Sequence, residues 1–487
     1  MKEEADIGIA GLAVIGANLA LNFESKGYTV ALYNRTAERL DDFMEGPGKG
    51  TKIHTTGSIP EFLGFLKRPR KILVAIRAGR AVDDFINTIR PHLEPGDIIM
   101  DAGNSYFKDT MRRMDDLLKD GIRFVGLGVS GGEEGALHGP SIMAGCSERA
   151  WEHVKDMLTD ISAKVGPDQE PCCAWLGAGG AGHFVKMIHN GIEYADMQMI
   201  AEVYAFMRDI LRMSPDEMSD VFANWSKGGE LSSYLITITS EILKKKDPVT
   251  GKYLVDVILD SAGQKGTGKW TSEAAFDLGV AAPTIAEAVF ARIISSLKDE
   301  RMEAYAQLPG VETERRTDRS AFLSKLRNTL IASKICAYAQ GFALITAASK
   351  EFGWKLDPAR IAEIWRGGCI IRASFLDEIV NAYRADPKLE NILLAPYFKN
   401  RIGIANNDWR EVLAKAICNG VAVPATSSTL AYYDSYRTAR LPANVIQALR
   451  DYFGAHMFER VDKPRGEFFH AQWSDSGMKI TSADFNV

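Results

Sequence analysis

Ile7-Gly-Ile-Ala-Gly-Leu-Ala-Val-Ile-Gly16 joins a short apolar run to a turn of small residues, and a helical pattern follows over residues 14–25. A second apolar run occupies residues 29–33. This order of strand, tight turn, helix and strand is typical of a unit in which a pyrophosphate meets the free N–H groups at a helix N-terminus. Ala13 stands where the fingerprint usually has its second glycine. Alanine still permits close backbone approach, but the fingerprint alone leaves a turn without a nucleotide equally open.

The end of the second strand indicates which dinucleotide would fit. An acidic residue there would accept the ribose 2′-hydroxyl and repel a 2′-phosphate, but the chain reads Asn34-Arg-Thr36. The planar fork of Arg35 suits phosphate oxygens and the Thr36 hydroxyl adds a donor, so the loop favours NADP over NAD. The alternative is a solvated arginine beside a threonine that caps the next helix.

The pattern around this unit predicts a mixed architecture of α/β and all-α parts. Up to residue 177, short β-branched runs alternate with amphipathic stretches, which predicts a Rossmann-like, doubly wound parallel sheet with helices on both faces. From about Ala181 long helical periodicities take over. We expect a coenzyme domain over 1–179, a large helical domain over 180–440 and a C-terminal tail over 441–487. The strand candidates are residues 7–11, 29–33, 71–76, 97–101 and 124–128.

The helical part contains a candidate internal duplication. The first copy contains Ser214-Pro215, Trp225-Ser-Lys-Gly-Gly229 and Ser233-Tyr-Leu235. The second copy contains, in the same order, Asp357-Pro358, Trp365-Arg-Gly-Gly368 and Ser374-Phe-Leu376. A helical pattern with a lysine, Lys186 or Lys334, precedes each copy, as duplication of a multi-helix unit would leave it. Ser214 and Asp357 fit helix N-caps before a proline at the first helical position. Coincidence among tryptophan-bearing helices is the alternative.

Composition excludes several other classes of protein. The chain has 487 residues, 46% of them hydrophobic, and a net charge of −5 without long runs of like charge, so no nucleic-acid arm or membrane-surface helix is expected. No apolar run reaches membrane-spanning length and no leader pattern opens the chain. The six cysteines show no CxxC and no metal spacing, which predicts reduced thiols, a cytoplasmic location and no bound metal.

A helix predicted over 183–200 separates polar from apolar residues. Lys186, Asn190, Glu193 and Met197 share one face, with His189 beside it. Lys186 and Glu193 lie roughly 10 Å apart along the axis, too far for an ordinary surface pair but suited to bracketing a small polar ligand. A solvated helix face is the alternative.

A second cationic segment, Gly263-Gln-Lys-Gly-Thr-Gly-Lys269, can wrap a phosphate with backbone N–H groups and Lys265. It also matches the spacing of a Walker A loop after the apolar run 254–259, which would indicate an ATP-dependent phosphotransferase. Trp270 stands where the magnesium-binding hydroxyl would be required, so a substrate-phosphate site is the better interpretation.

Six segments together resemble the 6-phosphogluconate dehydrogenase family, whose members act in the pentose phosphate pathway and in gluconate utilization. They span nearly the whole chain in the family's order. The resemblance implies oxidative decarboxylation of 6-phosphogluconate to ribulose 5-phosphate and CO2, NADP as the cofactor, no metal, and a homodimer whose C-terminal tail completes the partner's site. The segments are Gly11–Gly16, Asn34–Thr36, Gly128–Gly132, Gly182–Tyr194, Asp260–Trp270 and Arg450–His456.

The resemblance also implies roles for individual residues. Lys186 would be the general base that removes the proton of the 3-hydroxyl, and then the acid that protonates the 3-keto oxygen during decarboxylation. Glu193 would be the acid that protonates C1 of the resulting enediol. The implied cofactor contacts are Gly11, Leu12, Ala13, Val14, Ile15, Gly16, Asn34, Arg35, Thr36, Ile76, Arg77, Ala78 and Asn104. The implied substrate contacts are Asn104, Ser130, Gly131, Gly132, His189, Asn190, Tyr194, Lys265, Thr267, Arg292, Arg450 and His456.

The chain departs from the family pattern at Ile15, Arg77 and Ala102, which touch the cofactor contacts and leave the helix of Lys186 intact. Two other functions stay open. One is a dehydrogenase of an unphosphorylated 3-hydroxy acid, which would have no use for Lys265, Arg292 and Arg450. The other is an NADP-binding sensor without catalysis.

Overall fold

The computed structural model describes residues 4–311, 318–473 and 480–482. Contacts divide the chain into two compact units, residues 1–430 and 431–487. The first unit begins with alternating strands and helices and continues with helices alone, which confirms the predicted fold class of a Rossmann-like domain and a large helical part.

The alternating region contains ten strands and seven α-helices among its described residues. A short 3-10 turn, Arg90–His92, follows the fourth helix. The elements are β1 (Ile7–Ala10), α1 (Val14–Ser25), β2 (Val30–Tyr33), α2 (Ala37–Glu45), β3 (His54–Thr56), α3 (Ile59–Gly64), β4 (Lys71–Val74), α4 (Arg80–Ile89), β5 (Ile98–Asp101), α5 (Phe107–Leu118), β6 (Arg123–Ser130), α6 (Gly132–His138), β7 (Ser141–Gly145), α7 (Glu148–Ile161), β8 (Lys164–Val165), β9 (Glu170–Pro171) and β10 (Cys173–Gly177).

Eight of these strands form one sheet in the order β10-β7-β6-β5-β4-β1-β2-β3. Side chains alternate between its faces: Val30 and Leu32 join one apolar cluster, and Ala31 joins the other. Helices α1 and α7 cover the first face, while α3 and α4 cover the second. Both faces of the sheet are therefore buried, which is the environment in which strands read as continuous apolar runs.

The sheet is not wholly parallel, so that part of the prediction is corrected. Strand β7 runs antiparallel to β6, although every other neighbouring pair is parallel. Only residues 131–140 connect β6 to β7, and a parallel crossover needs a dozen residues or more. Strands β3, β7 and β10 were not among the sequence candidates. Two of them are edge strands, where short segments carry a weak periodic signal.

The helical part places two long helices at its centre. Helices α8 and α15 are buried along most of their length, and α15 packs against both α8 and α18. The helices are α8 (Ala181–Asp209), α9 (Pro215–Ser226), α10 (Tyr234–Lys244), α11 (Leu254–Val257), α12 (Thr267–Asp277), α13 (Pro283–Ser296), α14 (Lys298–Gln307), α15 (Arg319–Glu351), α16 (Pro358–Ile364), α17 (Leu376–Ala385), a 3-10 turn (Ile392–Leu394), α18 (Pro396–Cys418) and α19 (Pro424–Arg437).

The order of helices repeats as the duplicated segments predict. A long helix is followed by a helix that begins with proline and then by a third helix, in α8–α10 and again in α15–α17. Ser214 caps α9 in a capping box with Glu217, and the Asp357 carboxylate caps α16. Ser233 of the first copy forms an antiparallel bridge with Ala373, the residue before the corresponding Ser374 of the second copy.

The expectation that no apolar run reaches membrane-spanning length is wrong for helix α15, which is long and apolar enough to cross a membrane by length and composition. Inside the protein, 83% of its most apolar window is buried. Contacts with α8 and α18 account for that apolar composition.

The second unit contains α20 (Ala443–Gly454) and a three-stranded antiparallel sheet of β11 (Phe458–Glu459), β12 (Phe468–Ala471) and β13 (Ile480–Ser482). Asp451 is the one buried residue of helix α20, and it accepts hydrogen bonds from the backbone N–H groups of Met457 and Ala471 and from the rings of His470 and Trp473. Four hydrogen bonds thus converge on one buried carboxylate in the described part of this small unit.

Candidate functional site

A cleft of about 520 Å³ opens at the carboxyl ends of β1, β2 and β4. Gly11 has φ +108°, and a Cβ there would lie 2.5 Å from the Ala75 carbonyl oxygen. A Cβ on Gly16 would lie 2.1 Å from the Gly11 carbonyl oxygen. The turn therefore requires both glycines of the fingerprint, while Ala13 at the second position is exposed and unstrained. The cleft is lined by Ala10, Gly11, Leu12, Ala13, Tyr33, Asn34, Arg35, Thr36, Arg39, Ala75, Ile76, Arg77, Ala81, Asp84, Phe85 and Thr88.

The N-terminus of α1 faces this turn without a side-chain cap. Ala13, the N-cap residue, cannot cap, and the first turn of α1 carries no acidic residue. The free N–H groups and the positive end of the helix dipole therefore remain available for an anion.

The cationic side of the cleft is formed by Arg35, Arg39 and Arg77. The Asn34 amide donates to the Thr36 carbonyl oxygen at 2.9 Å and closes the loop after β2. Thr36 is the N-cap residue of α2, but its side chain makes no cap hydrogen bond. Thr36 therefore occupies the cap position that the alternative predicted, but its hydroxyl makes no cap hydrogen bond and is available to a ligand.

Sequence reasoning missed eight residues that line the cleft, among them Arg39 on α2 and Asp84, Phe85 and Thr88 on α4. Arg39 lies four residues after Arg35, and that helical spacing could have identified it. Only the packing of α4 beside β4 brings the three residues on α4 to the cleft. The predicted contacts Val14, Ile15, Gly16, Ala78 and Asn104 are not among the lining residues.

Helix α8 carries the lysine and the carboxylate predicted as the reacting pair. Lys186 is 6% exposed, and its Nζ donates to Asn190 Oδ1 at 2.6 Å and lies 3.4 Å from His189 Nδ1. Burial lowers the pKa of Lys186, although the nearby Glu193 carboxylate opposes the shift. The alternative of a solvated helix face is therefore wrong for this lysine.

Glu193 lies at the rim of the same site, with 21% of its side chain exposed. Burial raises the pKa of Glu193 above its ordinary value, and the charges of Lys186 and Arg292 partly offset the shift. The carboxyl group therefore holds its proton at higher pH than an exposed glutamate does.

His189 is fully buried beside this pair. Burial and the charge of Lys186 hold the pKa of His189 well below its ordinary value, so the imidazole is neutral. Its Nδ1 lies 3.7 Å from a Glu193 carboxylate oxygen and its Nε2 lies 3.2 Å from Ser130 Oγ. Ser130 ends β6, so the histidine connects the helix to the sheet.

The loop after β6 turns sharply at Gly131 and Gly132, which have φ +135° and +63°. A Cβ on Gly131 would lie 2.6 Å from the Gly368 carbonyl oxygen. Backbone, rather than side chains, therefore forms the wall next to Ser130. Asn104 lies exposed in the loop after β5.

The cationic segment at residues 263–266 and the helix α12 that follows it form the other side of the site. The Asn190 amide donates to Thr267 Oγ1 at 3.2 Å, and the backbone N–H of Lys265 donates to the Tyr194 hydroxyl at 3.4 Å. The Arg292 guanidinium lies 3.4 Å from the centre of the Tyr194 ring. Three elements distant in sequence thus bring a lysine, an arginine and the Thr267 hydroxyl next to Asn190 and Tyr194 of α8.

The Walker A alternative is wrong. Residues Leu254–Val257 before the loop form a short helix and not a strand. Trp270, at the position of the required hydroxyl, packs its ring 5.1 Å from the ring of Tyr106.

Arg450 and His456 lie in the second unit, where both line a cavity of about 630 Å³. Both side chains are exposed. Arg450 donates to the Gln447 side-chain oxygen at 3.0 Å.

No group of three or more potential metal ligands occurs among the residues that the structure describes. All six cysteines are free thiols, and only Cys418 is exposed. Cation, amide, hydroxyl and carboxyl groups thus make up the site. They can bind an anionic, hydroxylated ligand and move protons with one buried amine and one carboxylic acid.

Two family models match the chain and cover most of it. The NAD binding domain of 6-phosphogluconate dehydrogenase matches residues 6–177, and the C-terminal domain of 6-phosphogluconate dehydrogenase matches residues 182–473.

Curated relatives match over nearly their full length. The NADP(+)-dependent, decarboxylating 6-phosphogluconate dehydrogenase of Bacillus subtilis is 55% identical over 96% of this chain and 98% of its own. The decarboxylating enzyme of Homo sapiens is 50% identical over 99% of this chain and 100% of its own.

A solved structure of Plasmodium falciparum 6-phosphogluconate dehydrogenase, studied in its apo form and in complexes with its cofactor NADP+ and its substrate 6-phosphogluconate, superposes with a TM-score of 0.91. It is 43% identical and covers 96% of this chain and 100% of its own. With the two domain models and these relatives in agreement, this chain belongs to the 6-phosphogluconate dehydrogenase family.

Proposed function

We propose that this chain catalyses the oxidative decarboxylation of 6-phosphogluconate to ribulose 5-phosphate and CO2, with NADP+ as the hydride acceptor. The observation that carries the proposal is the buried Lys186 of lowered pKa, hydrogen-bonded to Asn190 on the same helix as a Glu193 of raised pKa. A base and an acid whose pKa values are shifted toward neutrality are what a reaction with alternating proton transfers requires.

The cleft at β1, β2 and β4 fits NADP. The strained Gly11 turn provides a cradle that a side chain would fill, and the uncapped N-terminus of α1 suits the pyrophosphate. Arg35, Arg39 and the Thr36 hydroxyl would hold the 2′-phosphate. When bound, the cofactor supplies the acceptor for the hydride that leaves C3 of the sugar acid.

Lys186 begins the proposed sequence as a neutral amine, which its burial favours. It removes the proton of the 3-hydroxyl as the hydride leaves C3, and becomes an ammonium. It then returns this proton to the 3-keto oxygen while the bond between C1 and C2 breaks and CO2 departs. The carbonyl oxygen at C3 receives the electron pair, so the lysine supplies the charge stabilisation that decarboxylation needs.

Glu193 completes the reaction by protonating the former C2 of the sugar acid, which is C1 of the five-carbon enediol, and Lys186 takes up the proton of the hydroxyl on the former C3. Its raised pKa keeps Glu193 protonated for this step. The lysine ends as an ammonium and the glutamate as a carboxylate, and exchange with water restores both.

The remaining side chains bind the sugar acid. Ser130, His189 and Asn190 would bind the hydroxyls and the carboxylate, together with Asn104 and the backbone of Gly131 and Gly132. Tyr194, Lys265, Thr267 and Arg292 would hold the phosphate end, because they bring two cations and two hydroxyls to one side of α8.

Two steady-state measurements test the function. Purified protein given NADP+ and 6-phosphogluconate should form NADPH and CO2 in equal amounts, and Lys186→Met should remove turnover while NADP+ binding persists. Turnover with gluconate as fast as with its 6-phosphate would favour the unphosphorylated 3-hydroxy acid instead, and cofactor binding without turnover would favour a sensor.

We further propose that the chain acts as a homodimer whose C-terminal tail completes the site of the partner subunit. Helix α20 exposes an apolar stripe at helical spacing, from Val445 (56% exposed) through Leu449 (58%) to Phe453 (72%), next to the exposed Arg450 and His456. A stripe of this kind marks an interaction surface. We assign this surface to contact with a second copy of the chain, because Arg450 beside it would add positive charge to the phosphate side of the partner subunit's site.

Mixing two inactive variants tests this arrangement. Lys186→Met and Arg450→Ala subunits, unfolded and refolded together, should regain about a quarter of wild-type activity, because half of the random dimers are mixed and each carries one intact site. Lack of any recovery, with dimers present by light scattering, would assign each tail to the site of its own subunit.

The domain limits 1–179, 180–440 and 441–487 remain our proposal. It is supported by the end of β10 at Gly177 and the start of α8 at Ala181. Limited proteolysis should cut first near 440. A cytoplasmic location is likewise proposed, on the grounds of five buried free thiols, and cell fractionation tests it.

A further inference from the structure

Helix α5 carries Arg113, a buried cation that lies outside the residues proposed to contact cofactor or substrate. Its side chain is 2% exposed. The guanidinium donates to both Asp83 oxygens at 2.8 and 3.2 Å, to the Gly79 carbonyl oxygen at 3.0 Å and, at 3.4 Å, to Asp101 and Ser105. One side chain therefore holds groups from three separate segments.

Two of these segments are loops that carry proposed cofactor contacts. The loop from β4 to α4 contains Ile76, Arg77 and Ala78 and ends at Gly79, whose carbonyl oxygen Arg113 binds. The loop from β5 to α5 contains Asn104. The two loops meet, because a Cβ on Gly103 would lie 3.3 Å from the Ile76 carbonyl oxygen.

The second loop is tied to the same cation through Asp101. Its carboxylate is fully buried and accepts from the Gly103 backbone N–H at 2.9 Å and from Ser105 Oγ at 2.6 Å. Arg113 neutralises this carboxylate and also reaches Ser105. A buried carboxylate without a cation would be strongly unfavourable, so the conformation of the loop depends on Arg113.

The same helix also touches α8. Thr110 lies three residues before Arg113, and its hydroxyl lies 2.7 Å from Nδ1 of the buried His183. His183 precedes Lys186 by one helical turn. Helix α5 therefore contacts both loops that carry proposed cofactor contacts and also the helix of the proposed base.

We propose that Arg113 is a positioning residue that sets the two cofactor loops against α8, and so aligns the hydride acceptor with the substrate carbon next to Lys186. The inference rests on the proposed function. The planar fork of arginine is essential to it, because a lysine ammonium cannot donate along the separate directions of Asp83, Gly79 and Asp101.

The test compares Arg113→Lys, which keeps the charge, with Arg112→Met as the matched control. Arg112 is the neighbouring residue and also donates to Asp83, but it is 56% exposed and binds neither loop. Arg113→Lys should lower kcat/KM for NADP+ by about 10–100-fold, the scale of a displacement of about 1 Å, while the Kd of 6-phosphogluconate stays within about twofold. Arg112→Met should leave both constants unchanged.

An isotope effect separates positioning from loss of folded protein. With 6-phosphogluconate deuterated at C3, the deuterium effect on kcat should rise in Arg113→Lys, because misalignment slows hydride transfer relative to the other steps. A merely structural role would lower the melting temperature and the active fraction but leave KM and the isotope effect of the surviving enzyme unchanged. That result would overturn the inference.

If Arg113→Lys does not fold, Asp83→Asn provides the second variant, because it keeps the shape of one partner and weakens its hydrogen bonds. It should shift kcat/KM for NADP+ and the isotope effect in the same direction by a smaller factor, and no shift would also overturn the inference. Absence of turnover in the wild-type chain would instead refute the proposed function. The Kd of NADP+ in the three variants, measured by calorimetry, would then decide about Arg113 alone.

Discussion

A methyl group added at Gly128 should move the proposed base without touching its chemistry. Gly128 lies in β6, and an added Cβ would be 2.4 Å from Lys186 Cβ, 3.1 Å from Lys186 Cγ and 2.9 Å from the Gly182 carbonyl oxygen. Ordinary contacts of this kind begin at 3.4 Å. Gly128→Ala must therefore displace α8 from the sheet, or bend the strand, by about 1 Å at the base of the lysine side chain.

The size of the effect follows from that displacement. Insertion of a methyl group into a packed interior costs about 1–3 kcal/mol, and misplacement of a reacting group by about 1 Å costs about 100-fold in rate. We expect Gly128→Ala to fold with a melting temperature lowered by several degrees and to lose about 100-fold in kcat. The Kd of NADP+ should change little, since the cofactor cleft lies on other strands.

Gly64→Ala is the matched control. Gly64 lies at the end of α3, and a Cβ there meets nothing within 4 Å. It should leave both kcat and stability near wild type. Stopped-flow measurement of NADPH formation, together with calorimetric melting, gives both quantities on the same samples. A Gly128→Ala enzyme with wild-type kcat would show that Lys186 tolerates displacement, and would refute the argument that its position on α8 is critical.

Three further predictions concern the cofactor, the base and the tail. Arg35→Ala should raise the KM for NADP+ by about 10–100-fold, since a charge-assisted hydrogen bond is worth about 1.5–3 kcal/mol. The KM for NAD+ should stay nearly unchanged. Equal changes for both cofactors would contradict the assignment of Arg35 to the 2′-phosphate. Because burial lowers the Lys186 pKa, kcat/KM should fall as pH decreases through a value below the ordinary 10.5. Between the lowered pKa of folded Lys186 and the ordinary pKa of the unfolded chain, the unfolded chain binds more protons. The burial of Lys186 therefore lowers the free energy of unfolding at pH values below both. Lys186→Met should melt at a higher temperature at pH 7. Asp451→Asn replaces one acceptor oxygen with a donor where four hydrogen bonds converge. It should therefore speed proteolysis of the tail and raise the KM for 6-phosphogluconate. A protease-resistant tail would contradict the role given to this carboxylate.

Local patterns predicted the first helix and two helix N-termini of the helical part correctly. Helix α1 begins at Val14 and ends at Ser25 as the periodicity indicates, and Ser214 and Asp357 cap their helices. These features depend on residues within a few positions of one another, so a single sequence contains all the information they need. The antiparallel direction of β7 follows instead from its short connection to β6. The apolar pattern of a strand contains no information about its direction.

Long-range packing limited what could be predicted about the site. Arg39 and the α4 residues reach the cleft, and Arg113 reaches two loops, only because strands and helices far apart in the chain are adjacent in space. Arg113 looks like any charged residue on an amphipathic helix, and nothing in its neighbours distinguishes it from the exposed Arg112.

The order of residues was sufficient to predict the dinucleotide turn, a phosphate contact for Arg35, and a helix with an amine and a carboxylate two turns apart. Only the tertiary structure could decide whether that amine is a solvated cation or a usable base. Its pKa depends on how completely water is removed, and the surroundings of Lys186 come from distant parts of the chain: Gly128 on β6 lies against its side chain, and Thr267 on α12 accepts a hydrogen bond from its partner Asn190. Desolvation is a property of the assembled fold, since it sums contacts that no local stretch of sequence contains.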